Sequence, residues 1–118
     1  MRKPSLQKSF LHALNGIFLM FSERNFKLEC LAFGINLILI FYLKLSNIDS
    51  ILIVTVSFGV LVAEIFNTAI EKICDFIQPD FDPKIGFIKD ISAGAVVLMA
   101  ILSVIIGFVV YWKYIFLS

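Results

Sequence analysis

The sequence is poor in the residues and motifs that most often announce chemistry. It has one histidine, two cysteines and three prolines in 118 residues, and only 16% of it is charged. The thiols, Cys30 and Cys74, stand in or beside apolar segments and form no CxxC or Cys/His pair at metal-ligand spacing, so they read as buried apolar thiols. There is no GxxxxGKS/T phosphate loop, no kinase-type HRD or DFG, no HExxH and no GxSxG, which removes the common soluble phosphotransferase and hydrolase devices. A formal net charge of +1, with no basic cluster interleaved with aromatics, leaves no electrostatic footprint for nucleic acid. Gln7, Lys8, His12 and Asn15 interrupt what would have to be the apolar stretch of a secretion signal, so the N-terminus is expected to be retained.

Apolar surface is what the chain has in excess. Hydrophobic residues make up 60% of it and mean hydropathy is +0.98. A soluble domain of this size buries only about 60% of its unfolded surface, so the excess needs lipid. The pattern predicts an all-α membrane protein: three transmembrane helices plus an N-terminal amphipathic interfacial helix, in one membrane-embedded domain over 1–118. From Leu6 to Phe21 the residues Leu6, Phe10, Leu11, Leu14, Ile17, Phe18 and Phe21 share an arc of about 140°, with Gln7, Leu19 and Met20 out of pattern, which predicts the interfacial helix over about 5–23. Packing of this helix on a protein partner is the alternative. The spans are predicted over about 26–45, 51–77 and 89–114. Ser46-Asn47-Ile48-Asp49-Ser50 reads as a polar turn between the first two. Gln78 to Lys84, with Pro79 and Pro83, reads as the second loop. Tyr111, Trp112 and Tyr114 read as an aromatic belt closing the third span.

Lys and Arg set the orientation. Arg2, Lys3, Lys8, Arg24 and Lys27 precede the first span and Lys72, Lys84 and Lys89 flank the second loop, against Lys44 in the first loop and Lys113 in the tail. The N-terminus and second loop are therefore expected in the cytoplasm, where ATP and Mg²⁺ are available.

The second span carries the chemistry. At about 100° per residue Glu64, Asn67, Thr68, Glu71 and Asp75 fall on one face, and three carboxylates cannot face lipid, where each costs roughly 2.5–3.5 kcal/mol at the bilayer centre. Glu64 lies about 10 Å deeper than Glu71, so the stripe joins a lipid-level carboxylate to one near the cytosol. Glu23 stands at the level of Glu71, and carboxylates gathered there call for a hard divalent cation. Ion pairing with Lys72 or Lys89 is the structural alternative for the stripe. For Glu23 it is a solvated place beside Arg24, and for Lys89-Asp90 a charge pair at a helix start.

The run Ala63-Glu64-Ile65-Phe66-Asn67-Thr68-Ala69-Ile70-Glu71-Lys72-Ile73-Cys74-Asp75, followed by Lys89-Asp90-Ile91-Ser92-Ala93-Gly94-Ala95-Val96, resembles the signature of the prokaryotic diacylglycerol kinase family, which includes undecaprenol kinases. Ser22-Glu23-Arg24-Asn25-Phe26-Lys27 resembles that family's acidic segment before the first span, and the likeness runs from about Ser9 to the end. It implies a homotrimer in the bacterial inner membrane, with active sites at subunit interfaces on the cytoplasmic side. The implied reaction moves a phosphoryl group from MgATP to the hydroxyl of a membrane lipid alcohol, undecaprenol or diacylglycerol. By the same resemblance Glu64 matches the general base, and Glu23 and Glu71 match the carboxylates that hold Mg²⁺ on the nucleotide. Lys89 and Asp90, the loop residues Asp80, Phe81 and Asp82, and His12 on the interfacial helix match nucleotide-side positions, although the loop identities differ from the diacylglycerol kinase pattern. Asn67, Asp75 and Glu29 match polar active-site positions. E-R-N-F, N-T-A-I-E and S-A-G-A-V look more like the undecaprenol kinase branch. Two other classes stay open on the residues alone: an ion-coupled small transporter, which would use the intramembrane carboxylates as a path, and a non-catalytic assembly subunit.

Overall fold

The structure is a computed structural model that describes residues 5–117; Arg2 and Lys3, counted above for orientation, lie outside them. Four α-helices follow one another: α1 (Leu6–Leu19), α2 (Arg24–Tyr42), α3 (Asn47–Ile77) and α4 (Pro83–Phe116), with a single 3₁₀ turn, Met20–Ser22, between the first two. The last three are long and apolar enough to cross a membrane. None of the residues of α1 is buried, as an interfacial helix requires. Met20, which breaks the α1 stripe, does so because the 3₁₀ turn swings it inward to pack with Phe26 and Leu61.

The interior is inverted relative to a soluble domain. On α3 the buried residues are Asp49, Ile53, Val56, Leu61, Glu64, Asn67, Thr68 and Cys74, whereas α2 buries Phe26 and α4 only Ser92 and Val110. Half of the buried set on α3 is polar, because apolar side chains lose nothing by facing lipid and polar ones must face protein. This makes α3 the central helix, packed by α2 on one side and α4 on the other. At Gly59 the end of the flexible Met99 side chain of α4 fills the space a Cβ would take. A Cβ at Gly94 or Gly107 would meet no neighbour within 4 Å in this chain.

Both loops are shorter than the sequence pattern predicts. The first turn is Leu43 to Ser46, with Lys44 in the left-handed region at φ 55° and the Leu45 N–H returning to the Ile40 carbonyl at 3.1 Å. The polar run that reads as a turn is the start of α3: Ser46 caps it, its Oγ accepting from the Asp49 N–H at 3.1 Å. Likewise α4 begins at Pro83, capped by Asp82, whose Oδ1 accepts from the Lys84 N–H at 2.8 Å. Pro83 therefore opens a helix rather than prolonging a loop, because its missing N–H is no loss in the first turn. Lys89 and Asp90 consequently sit well inside α4 and are not a pair at its start.

Candidate functional site

Helix lengths decide which carboxylates are in lipid. The 19 residues of α2 span about 29 Å, which matches a hydrocarbon core of about 30 Å, while the 31 of α3 and 34 of α4 reach about 46 and 51 Å. Counted from Asn47, Glu64 lies about 26 Å along α3, just inside the core, and Glu71 about 36 Å along, beyond it. Glu23, in the extended residue between the 3₁₀ turn and α2, marks the same boundary on the neighbouring helix; its side chain makes no capping bond and is free to reach toward α3.

The stripe divides into three groups. Deepest is Glu64, only 4% exposed, with the Glu29 carboxyl of α2 beside it. The Oε2 of Glu29 is buried with no hydrogen-bond partner among the described residues. A cavity of about 190 Å³, lined in part by Glu29, Asn36, Ser57 and Ser103, continues from there between the helices. Next comes a relay: the Ser92 hydroxyl donates to Asn67 Oδ1 at 2.7 Å, and Asn67 Nδ2 donates to Glu71 Oε1 at 3.4 Å. Outermost are two ion pairs, Lys72 with Glu23 at 3.5 Å and Lys89 with Asp75. The ion-pairing alternative therefore accounts for Asp75 and touches Glu23, but neither Glu64 nor Glu71 has an ion-pair partner among the described residues.

The second loop adds a shallow depression of about 310 Å³ in which Asp80, Phe81, Asp82 and Lys89 meet. Phe81 is 91% exposed, while Asp82 is engaged as the α4 cap. Two residues stand apart in the single chain. His12 is exposed on α1. Asp90 is also exposed; it lies about 200° round α4 from Ser92, which faces α3, and it opens onto a groove with Ile91, Ala93 and Gly94. No three Asp, Glu, His or Cys side chains among the described residues converge as a metal-holding group. The donors present still suit Mg²⁺ on a nucleotide, which takes one or two carboxylates and completes its shell with phosphate and water. Glu71 is exposed, and the 3.5 Å Lys72–Glu23 contact puts Glu23 in reach of the same turn of α3.

The far end of the bundle answers the question of a path across it. Asp49, buried, accepts from Lys113 Nζ and from the Tyr114 hydroxyl, and Tyr111 donates to Asn36 at 2.8 Å. Tyr111 and Tyr114 are thus turned inward, and of the three expected belt residues only Trp112 lies on the outer face, its ring tilted against those of Phe108 and Phe116.

Sequence reasoning gives no reason to single out Ser92, which is hidden among the small residues of its run. Glu29 rests there on resemblance alone; its spacing six residues after Glu23, at lipid depth, is the signal available.

The family described as prokaryotic diacylglycerol kinase matches residues 11–111. The undecaprenol kinase of Bacillus subtilis is 38% identical over 105 residues, covering 88% of this chain and 85% of that one. A diacylglycerol kinase of Synechocystis is 31% identical over 106 residues, 88% of this chain and 61% of its own, and that of Escherichia coli K12 is 27% identical over 93 residues, 79% and 76%.

Proposed function

Given that the chain belongs to the prokaryotic diacylglycerol kinase family and is a lipid kinase, we propose that it phosphorylates undecaprenol with MgATP at the cytoplasmic face of the bacterial inner membrane, with Glu64 as the general base. The family does not favour the transporter and assembly-subunit readings. The observation that carries the proposal is the depth pair on α3. Glu64 is buried at lipid level, and Glu71 is exposed about 10 Å nearer the water. A lipid hydroxyl held at the interface meets the first, and a soluble nucleotide meets the second.

The lipid oxygen attacks the γ-phosphorus as its O–H proton passes to Glu64; the new O–P bond forms while the bond to the β-phosphate oxygen breaks, releasing ADP. Glu29 flanks the acceptor carboxylate and helps orient the hydroxyl. Glu23 and Glu71 would hold Mg²⁺, which when bound neutralises charge on the phosphates. Lys89 and the 80–82 loop line the adjoining nucleotide side. Thr68 and the apolar walls keep water from the deep end. The site is completed by a second copy in a homotrimer: Asp90, facing away from α3, supplies a neighbour's site, and the partner-free faces of α4 support that arrangement. The acceptor is assigned to undecaprenol because the Bacillus subtilis relative bearing that name is 38% identical against 31% and 27% for two named diacylglycerol kinases. The basic residues at the shared end of α2, α3 and α4 support the cytoplasmic orientation.

Purified protein in mixed micelles, given labelled ATP, Mg²⁺ and either undecaprenol or dioleoylglycerol, tests the assignment. Label is expected in both lipids, with kcat/KM at least about tenfold higher for undecaprenol, the equivalent of roughly 1.4 kcal/mol in the transition state. Equal or reversed preference overturns the acceptor. Label in neither lipid overturns the catalytic reading.

A further inference from the structure

Ser92 is 7% exposed, while its neighbours in sequence, Ile91 and Ala93, are exposed; the rotation of α4 that buries the hydroxyl aims it at α3. A helix serine ordinarily returns its proton to the carbonyl one turn back. Here Oγ donates across the helix pair to Asn67 Oδ1 at 2.7 Å, within the range of a good O–H···O bond. A side-chain amide has one accepting and one donating end. With its oxygen taken by Ser92, Asn67 presents Nδ2 to Glu71 Oε1, four residues along the same face, at 3.4 Å. The reverse orientation would set the amide oxygen against the carboxylate. The three groups therefore form one directed chain that starts at the buried Ser92 hydroxyl and ends on the exposed Glu71 carboxylate.

We propose that Ser92 is a positioning residue which, through Asn67, sets the Glu71 carboxylate in the orientation that receives the divalent cation of the nucleotide. The proposal rests on the reading of Glu71 as a metal-holding carboxylate, and the test separates the two. Ser92 touches neither substrate nor metal. Through Asn67 it limits the freedom of a long, exposed side chain that has no other hydrogen bond among the described residues, and so lowers the ordering cost of binding.

The test is Mn²⁺ binding, followed by electron paramagnetic resonance, to the full chain in detergent micelles with a β,γ-imido ATP analogue, alongside Mg²⁺ titration of turnover. Ser92→Ala is expected to weaken Mn²⁺ binding by about three- to tenfold, the loss of one hydrogen bond of ordinary strength, and to raise the Mg²⁺ requirement in parallel while the KM for lipid is unchanged. Ser92→Thr, which keeps the hydroxyl, restores both. In an Asn67→Ala background Ser92→Ala has no further effect, because the path is already cut. Normal Mn²⁺ affinity in Ser92→Ala with weakened affinity in Glu71→Gln overturns the relay and leaves the metal reading standing. Normal affinity in Glu71→Gln overturns both. Equal impairment by Ala and Thr makes the role one of packing, and multiplicative losses in the double variant show that Ser92 does not act through Asn67; either result overturns the proposal. Should Ser92→Ala fail to fold, Ser92→Cys, a weak donor of similar size, is expected to fall between Thr and wild type on one side and the Asn67→Ala variant on the other, and wild-type binding by it overturns the relay.

Discussion

The two ends of the α3–α4 pair are built from the same kinds of group and finished differently. At the Asn47 end one carboxylate, Asp49, is buried and saturated: Lys113 Nζ reaches both its oxygens at 3.1 and 3.2 Å, the Tyr114 hydroxyl donates at 2.8 Å, and the same hydroxyl accepts from the Ser46 N–H at 2.8 Å. At the Ile77 end, by contrast, five carboxylates gather, Glu23, Glu29, Glu64, Glu71 and Asp75, and the ion pairs among the described residues reach only two of them, Lys72 with Glu23 at 3.5 Å and Lys89 with Asp75. A closed cluster of that first kind needs nothing further. A surplus of carboxylates held half in lipid is costly unless a proton or a cation from outside completes it. The contrast separates a polar end that is complete in itself from one with carboxylates left unpaired, and the proposed site lies at the second.

Replacing Glu64 breaks the contrast most severely. Glu64→Gln keeps the shape of the deep group and removes its capacity to take a proton, so turnover is expected to fall by about 10²–10⁴-fold while binding of the nucleotide analogue is retained. Lipid phosphorylation, analogue affinity and oligomer mass in detergent, measured on one preparation, decide it. An inactive, intact, nucleotide-binding protein is the expected result. Substantial residual turnover removes Glu64 from the chemistry, and a dissociated protein makes it a structural residue like Asp49.

The reciprocal change is Asp49→Ala. It removes the acceptor of three hydrogen bonds from two donors, one of them a half-exposed lysine that can turn to water, so the expected loss is about 2 kcal/mol in unfolding by sodium dodecyl sulfate mixed with a mild detergent. Turnover per folded molecule and its Mg²⁺ dependence are expected to stay at wild-type values. A variant that keeps its stability but loses activity would show that the far end is coupled to the reaction, and the division into two kinds of end would fail.

Much of this division is legible in the sequence, for reasons that also explain where it blurs. Three apolar runs and a 3.6-residue stripe of carboxylates survive any uncertainty in boundaries, because both depend on many residues at once. Caps do not. Ser46 to Ser50 has the composition of a turn, but Ser, Asn and Asp favour helix starts for the same hydrogen-bonding reason that they favour turns, and one pattern serves both. Pro83 is ambiguous in the same way, forbidding continuation of the helix before it and suiting the first turn of the helix after it. Tyr111 and Tyr114 have the right place for an interfacial belt; only the rotation of α4 against α2 and α3 shows that their hydroxyls turn inward to Asn36 and Asp49. Ser92 is lost for the same reason, since nothing on its own helix records which way it faces. The residues of the stripe lie on one helix and could be read together with Glu23 at its level, whereas Glu29 of α2 needed a family pattern and Ser92 of α4 the packing itself.

The smallest change probes how the closed end is organised. Tyr114→Phe deletes only the hydroxyl that lies between the Ser46 N–H and Asp49 Oδ2, each at 2.8 Å. The Ser46 N–H is exposed and passes to water, and Asp49 keeps both contacts with Lys113, so the expected loss is about 1 kcal/mol, half of that for Asp49→Ala. The site begins some 18 residues along α3, roughly 27 Å away, and neither lipid phosphorylation nor Mn²⁺ binding should move. Since the hydroxyl acts mainly on Asp49, its removal in an Asp49→Ala background should cost less than in wild type, and unfolding of the four proteins in the same detergent mixture measures that difference. If the two losses simply add, the tyrosine steadies the first turn by itself, and the far end is two separate contacts rather than one cluster centred on Asp49.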